Sequence, residues 1–104
     1  MNSRPAVFLV MCGSSVASAN LAAVKLKDEA QRRKVKVIIR VGKIADMDIL
    51  IERQRPDIVV ATAKTDKKHE GVKVYNGVPL ISTVGQEELF DEIFAYIEEQ
   101  GLGK

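Results

Sequence analysis

Short β-branched runs alternate with amphipathic stretches along this chain, and each change of period marks a new element. Residues 6–11 (AVFLVM) are a continuous apolar run of strand length, as a strand buried on both faces requires. From Asn20 to about Arg33 the period becomes helical. Ala19, Ala22, Ala23, Leu26 and Ala30 there form a face of small residues that can pack closely on a sheet. Residues 35–41 (VKVIIRV) read as the second strand. Ile44, Met47, Leu50 and Ile51 recur at helical spacing and predict a helix over about 45–54, stopped by Pro56. Residues 57–61 (DIVVA) are the third strand, and the polar stretch 62–71 predicts an exposed loop. Residues 72–74 suit a short extended piece, Asn76-Gly77 is a turn signal, and 79–82 (PLIS) read as the fourth strand. Leu89, Phe90, Ile93, Phe94 and Ile97 make the apolar stripe of a last helix, with Glu87 and Glu88 in its first turn, where the helix dipole favours them.

Strand–helix alternation of this kind predicts an α/β fold, because right-handed crossovers put helices on both faces of a parallel sheet. The expected architecture is one domain over residues 1–104, a three-layer sandwich with a four-stranded parallel sheet in the order 2-1-3-4. It resembles the folds of low-molecular-weight phosphatases. In such sheets the site lies beyond the carboxyl ends of the strands, where the strand order reverses. That edge is expected to gather residues 12–18, Val41-Gly42, residues 62–64 and residues 82–85.

Composition narrows the classes. A hydrophobic fraction of 46% and a charged fraction of 29% suit a folded globular domain rather than a disordered chain. No apolar run approaches the roughly 20 residues that span a bilayer, and the run ending at Cys12 is too short for a secretory signal. The expected location is therefore cytoplasmic. The net charge is only +2, aromatics are 5% and there is no Trp, which argues against a nucleic-acid partner. The basic residues Lys25, Lys27, Arg32, Arg33, Lys34 and Lys36 gather where a helix would end, and cations there complement the dipole. Lys64, Lys67, Lys68 and His69 form a second group that reads either as solvated loop charge or as a docking loop for a partner.

The chain holds one cysteine, so an internal disulfide and paired-cysteine redox or zinc chemistry are excluded. A lone Cys reads first as a small buried hydrophobe. Its neighbours favour a second reading. Cys12 ends the first predicted strand and is followed by Gly13, Ser14, Ser15, Val16, Ala17 and Ser18, which run directly into a helix. A loop of small residues between a strand and a helix turns backbone N–H groups inward, and the helix N-terminus adds positive potential. Gly13 permits backbone angles that a side chain forbids, and the serines offer hydroxyl donors or helix caps. A helix N-terminus beside a cysteine also favours the thiolate, which is the nucleophile. Amide donors around it would hold the oxygens of a phosphoryl group in transfer.

Low-molecular-weight tyrosine phosphatases use a similar fold with a C-x5-R loop and an Asp-Pro pair as general acid. Position 18 here is Ser18, and the adjacent Asp and Pro stand in the reverse order, Pro56-Asp57, at the start of a predicted buried strand. Without the bidentate Arg and the acid, hydrolysis is poorly served, and a cradle that accepts phosphate without hydrolysing it is a carrier.

From about Val7 to Ile97 the chain resembles the IIB component of a sugar phosphotransferase system, nearest to the galactitol type. The resemblance is carried by Cys12-Gly13 with small residues after the first strand, by the segment DIVVAT at 57–62, and by NGVPLI at 76–81 before a glycine and the last helix. It departs from the galactitol pattern at Ser18-Ala19, where Thr-Ser is common, and at Thr83-Val84-Gly85. The resemblance implies a phosphotransferase in which a IIA phosphohistidine donates to Cys12 and the membrane component IIC supplies the sugar or polyol acceptor. It implies that the backbone from Gly13 to Ser18 cradles the phosphate, that the protein docks transiently at the inner face of the membrane, and that no metal or organic cofactor takes part. A small cysteine phosphatase or thiol reductase, and a non-catalytic regulatory module in which Cys12 is only core, stand as the alternatives.

Overall fold

The structure, a computed structural model, describes residues 4–13, 16–62 and 72–103. The elements are β1 (Ala6–Cys12), α1 (Val16–Arg32), β2 (Val37–Lys43), a 3-10 turn (Ile44–Asp46), α2 (Met47–Gln54), β3 (Ile58–Ala61), β4 (Lys73–Asn76), α3 (Val78–Ser82) and α4 (Gln86–Glu99). The strands form one four-stranded sheet in the order β2-β1-β3-β4, every pair parallel, as the alternation of elements predicts.

β1 is central, with Leu9 facing Arg40 of β2 on one side and Val59 of β3 on the other. Its side chains alternate between two cores, which is why its sequence is apolar at every position. Phe8, Val10 and Cys12 join the larger core with Ala19, Ala22, Leu26 and Ala30 of α1, Leu80 of α3, and Phe90, Ile93, Phe94 and Ile97 of α4. Leu9 and Met11 turn the other way, onto Met47 and Ile51 of α2 together with Val59. Helices therefore cover both faces, completing the three layers.

α1 begins at Val16, four residues ahead of the expected start at Asn20. At its other end, Glu29 is buried and accepts Arg32 at 3.0 Å and Arg33 at 2.7 Å, while Arg33 also reaches Asp91 of α4 at 2.6 Å. Two of the clustered basic residues thus pair within the molecule and fasten α1 to α4. α2 ends on Arg55, which adopts the left-handed conformation (φ 45°), with its N–H bonded to the Ile51 carbonyl, just ahead of Pro56.

One assignment is corrected. Residues 79–82 do not form the fourth strand; they belong to α3, and the strand is Lys73–Asn76. A short apolar run fits helix or strand equally well, and the local chemistry decides. The Asn76 side chain accepts the Val78 N–H at 3.0 Å, Gly77 caps the helix, and Pro79 sits in its first turn, where its missing N–H has no helical partner to lose. Leu80 then points into the core, fully buried. Gly77 passes tightly over β3: its N–H meets the Ala61 carbonyl at 2.6 Å, and a Cβ there would lie 2.6 Å from Val60 Cγ1.

Among the described residues no helix is long and apolar enough to cross a membrane. Ser14, Ser15 and the group Lys64, Lys67, Lys68 and His69 lie outside the described residues.

Candidate functional site

The carboxyl edge of the sheet brings together Cys12, Lys43, Ala61-Thr62 and Asn76-Gly77, with Cys12 directly opposite Lys43 in the parallel register. Since β4 is Lys73–Asn76, the fourth strand contributes Asn76-Gly77 to this edge, and residues 82–85 follow α3 instead of a strand. Both sheet neighbours of β1 are adjacent to it at this end, so the first crossover, over α1, leaves in one direction and the rest of the chain in the other. That reversal is where parallel α/β sheets open a crevice.

Cys12 is fully buried, and its thiol donates to the Gly42 carbonyl of β2 at 3.3 Å. Burial is common to core cysteines and to a strand-end nucleophile at rest. Cys12 differs from Phe8 and Val10 in its position: it is the last residue of the strand, and Gly13 beside it is an exposed bend. Gly42 can lie this close because it lacks a side chain; a Cβ at that position would collide with Cδ1 of Leu50.

Val16 and Ala17 open α1 and are both exposed, so the first turn of the helix faces solvent immediately beyond the cysteine loop. The first N–H groups of a helix have no partner within it and carry the positive end of its dipole. α1 has no acidic side chain in that turn to neutralise it. Ser18, half-buried, is part of the same turn, and its hydroxyl lies 3.4 Å from that of Thr62. Thr62 in turn donates from its hydroxyl to the Met11 carbonyl at 3.0 Å, and its backbone N–H bonds to the same oxygen at 2.8 Å.

Of the residues expected to form the cradle, Gly13 is an exposed bend directly after Cys12, the last residue of β1, and Val16, Ala17 and Ser18 are the first three residues of α1. Two contributors were not assigned a role from sequence. The Gly42 carbonyl and the Thr62 hydroxyl both sit on the expected edge, yet their contacts join residues far apart in the chain, which no local pattern reports. Pro56-Asp57 takes no part in the site. The Asp57 carboxylate lies at the opposite end of the sheet, bound by Arg4 at 2.8 Å and by the Val7 N–H at 2.7 Å, and so is not placed as a general acid for Cys12. Among the described residues, no three His, Cys, Asp or Glu side chains gather to hold a metal ion.

Chemically, the arrangement offers a buried thiol at the end of β1, ahead of the start of α1, with no carboxylate beside it among the described residues. Comparison with known proteins identifies the family. The family described as "PTS system, Lactose/Cellobiose specific IIB subunit" matches residues 7–92. The galactitol-specific EIIB component of the phosphotransferase system of Escherichia coli K12 is 24% identical over 90 residues, covering 86% of this chain and 94% of that protein. Its counterparts in Escherichia coli O157:H7 and Shigella flexneri are 23% identical over the same proportions.

Proposed function

We propose a phosphocysteine-carrier role for Cys12, proceeding from the premise that the chain belongs to the lactose/cellobiose-specific IIB family of the sugar phosphotransferase system. Membership makes the protein a phosphoryl-transfer component of such a system. The finer reading is that a phosphohistidine on a IIA protein is the donor. The Cys12 sulfur attacks phosphorus, the S–P bond forms as the donor N–P bond breaks, and the thiol proton ends on the released imidazole. In the second step a hydroxyl of a sugar held by the membrane component IIC attacks the same phosphorus, the S–P bond breaks, and the hydroxyl proton returns to sulfur.

The observation that supports this reading is the place of Cys12 as the last residue of β1, followed by the exposed Gly13 and then by the solvent-facing first turn of α1. Donors fixed in the fold stabilise charge on the transferring group without reorganising during the reaction. Attack requires the sulfur to turn from the Gly42 carbonyl towards the loop, because that carbonyl partners the thiol and repels the thiolate. The lack of an acid or Arg in the described site favours a carrier over a hydrolase, since neither the leaving group nor an attacking water is served.

Transfer from a phosphorylated IIA protein to Cys12, with negligible release of inorganic phosphate from an aryl phosphate, is the expected pair of results. Substantial turnover of the aryl phosphate would replace the carrier reading with a phosphatase. Galactitol is the first acceptor to test in membranes that contain IIC, because the relatives named above are galactitol-specific; lactose and cellobiose follow from the family description.

A further inference from the structure

We propose that Thr62 is a positioning residue for Cys12, a clamp that holds both ends of the cysteine loop; this rests on the phosphocysteine-carrier reading. Thr62 follows β3 directly and is only 9% exposed. The fold does not need its hydroxyl to complete the sheet, since the backbone N–H of Thr62 already bonds the Met11 carbonyl at 2.8 Å. The hydroxyl adds a second bond to that same oxygen at 3.0 Å. A carbonyl has two lone pairs, and here both are taken by one residue.

Proton accounting fixes the other half of the clamp. A hydroxyl has one proton, and that of Thr62 is directed to Met11, so towards Ser18 it presents lone pairs. Ser18, with its oxygen 3.4 Å away, is therefore the donor of that contact. Met11 immediately precedes Cys12, and Ser18 ends the run that follows it. A single buried side chain thus joins the strand end to the helix start, across a separation of 44 residues from Ser18 and 51 from Met11. With its proton given to Thr62, Ser18 serves the cradle in this state through its backbone N–H and not its hydroxyl.

The consequence is for orientation. In-line transfer needs the sulfur and the amide donors in a fixed relation, and small displacements of a reacting group are costly in rate. Removing the hydroxyl while keeping the shape, as in Thr62→Val, leaves the Met11 carbonyl bonded to the backbone and leaves Ser18 half-exposed, where water can accept its proton. The fold should survive while the loop loosens.

The test measures the rate at which Cys12 gains a phosphoryl group from a phosphorylated IIA protein, over a range of donor concentrations, in wild type, Thr62→Val and Thr62→Ser. The expected result for Thr62→Val is a saturating rate lower by at least about fivefold with the half-saturating donor concentration unchanged, because a buried residue does not touch the donor. Thr62→Ser, which restores the hydroxyl, should fall within about twofold of wild type. Equal saturating rates for Thr62→Val and wild type, or no recovery in Thr62→Ser, would overturn the inference. Should Thr62→Val fail to fold, Ser18→Ala breaks the same contact from its other end while keeping the backbone N–H. A slowing of similar size supports the clamp, and an unchanged rate overturns it. Wild type that gains no phosphoryl group from competent donors removes the carrier reading and the clamp with it, a result distinct from a phosphorylated wild type matched by its variant.

Discussion

The thiol of Cys12 donates to the carbonyl of Gly42 at 3.3 Å, from the last residue of one strand to the last but one of its parallel neighbour. The contact turns the sulfur towards β2, in a position with no solvent exposure. A thiol held this way is shielded from reagents in solution. Alkylation of Cys12 by iodoacetamide in the native protein is therefore expected to be at least about tenfold slower than in the urea-unfolded chain at the same pH, since thiol reactivity requires access as well as ionisation. Equal rates would mean that the sulfur is already turned outward.

Space at Gly42 is a second consequence of that contact. A Cβ there collides with the end of the Leu50 side chain, whereas one at Gly77 meets Val60 Cγ1 at 2.6 Å and the Ala61 carbonyl oxygen at 3.2 Å. Overpacking of this kind costs about 1–3 kcal/mol. Leu50 is a flexible, half-buried side chain that can be shortened, but a backbone carbonyl cannot. Gly42→Ala should lower the melting temperature and regain most of the loss on addition of Leu50→Ala. Gly77→Ala should be at least as damaging, with no recovery from Val60→Ala alone. Failure of Leu50→Ala to rescue Gly42→Ala would show that the close approach to Leu50 does not limit β2.

How much of this was legible in the sequence depends on the reach of each interaction. β1 and β3 could be read because a strand covered on both faces is apolar at every position, as Phe8 to Met11 and Ile58 to Ala61 are. The strand order was predicted from the strand–helix alternation along the whole chain, through the right-handedness of parallel crossovers. The fourth strand was misplaced because Lys73–Asn76 is a short edge strand with polar, exposed residues at both ends, and the apolar residues beside it gave the stronger signal. The rule that mattered there was Asn76 and Gly77 starting a helix with Pro79 in its first turn. The start of α1 at Val16 was hidden because Val16 and Ala17 face solvent, so the apolar period begins only at Ala19. The position of Cys12 at the sheet edge followed from strand length. Its partner Gly42 and the link from Ser18 through Thr62 to Met11 depend on which strands lie side by side, and that is tertiary information.

At the other end of the sheet, Asp57 links pH to stability. Burial works to raise the pKa of its carboxyl, but the hydrogen bonds from Arg4 and from the Val7 N–H, with the charge of Arg4, outweigh that and hold it below the ordinary 3.8. A lowered folded value means that the stabilisation is complete above about 3.8 and is lost as pH falls through the folded value. The Arg4 side chain is 58% exposed, so solvent screening limits the contribution to about 1 kcal/mol. Asp57→Asn should be less stable than wild type by about that amount at neutral pH, with the gap closing as urea titrations are taken to lower pH. A gap that stays constant down to about pH 2 would assign the loss to altered packing instead of charge.

The central claim is that Cys12 carries the phosphoryl group, and intact-mass analysis tests it most directly. Wild type and Cys12→Ser are incubated with phosphoenolpyruvate, the general phosphotransferase proteins and a IIA donor. One phosphoryl adduct on wild type and none on Cys12→Ser is the predicted result. An adduct of equal yield on Cys12→Ser, or none on wild type with several active IIA donors, would contradict it and return Cys12 to the role of a buried residue at the end of β1.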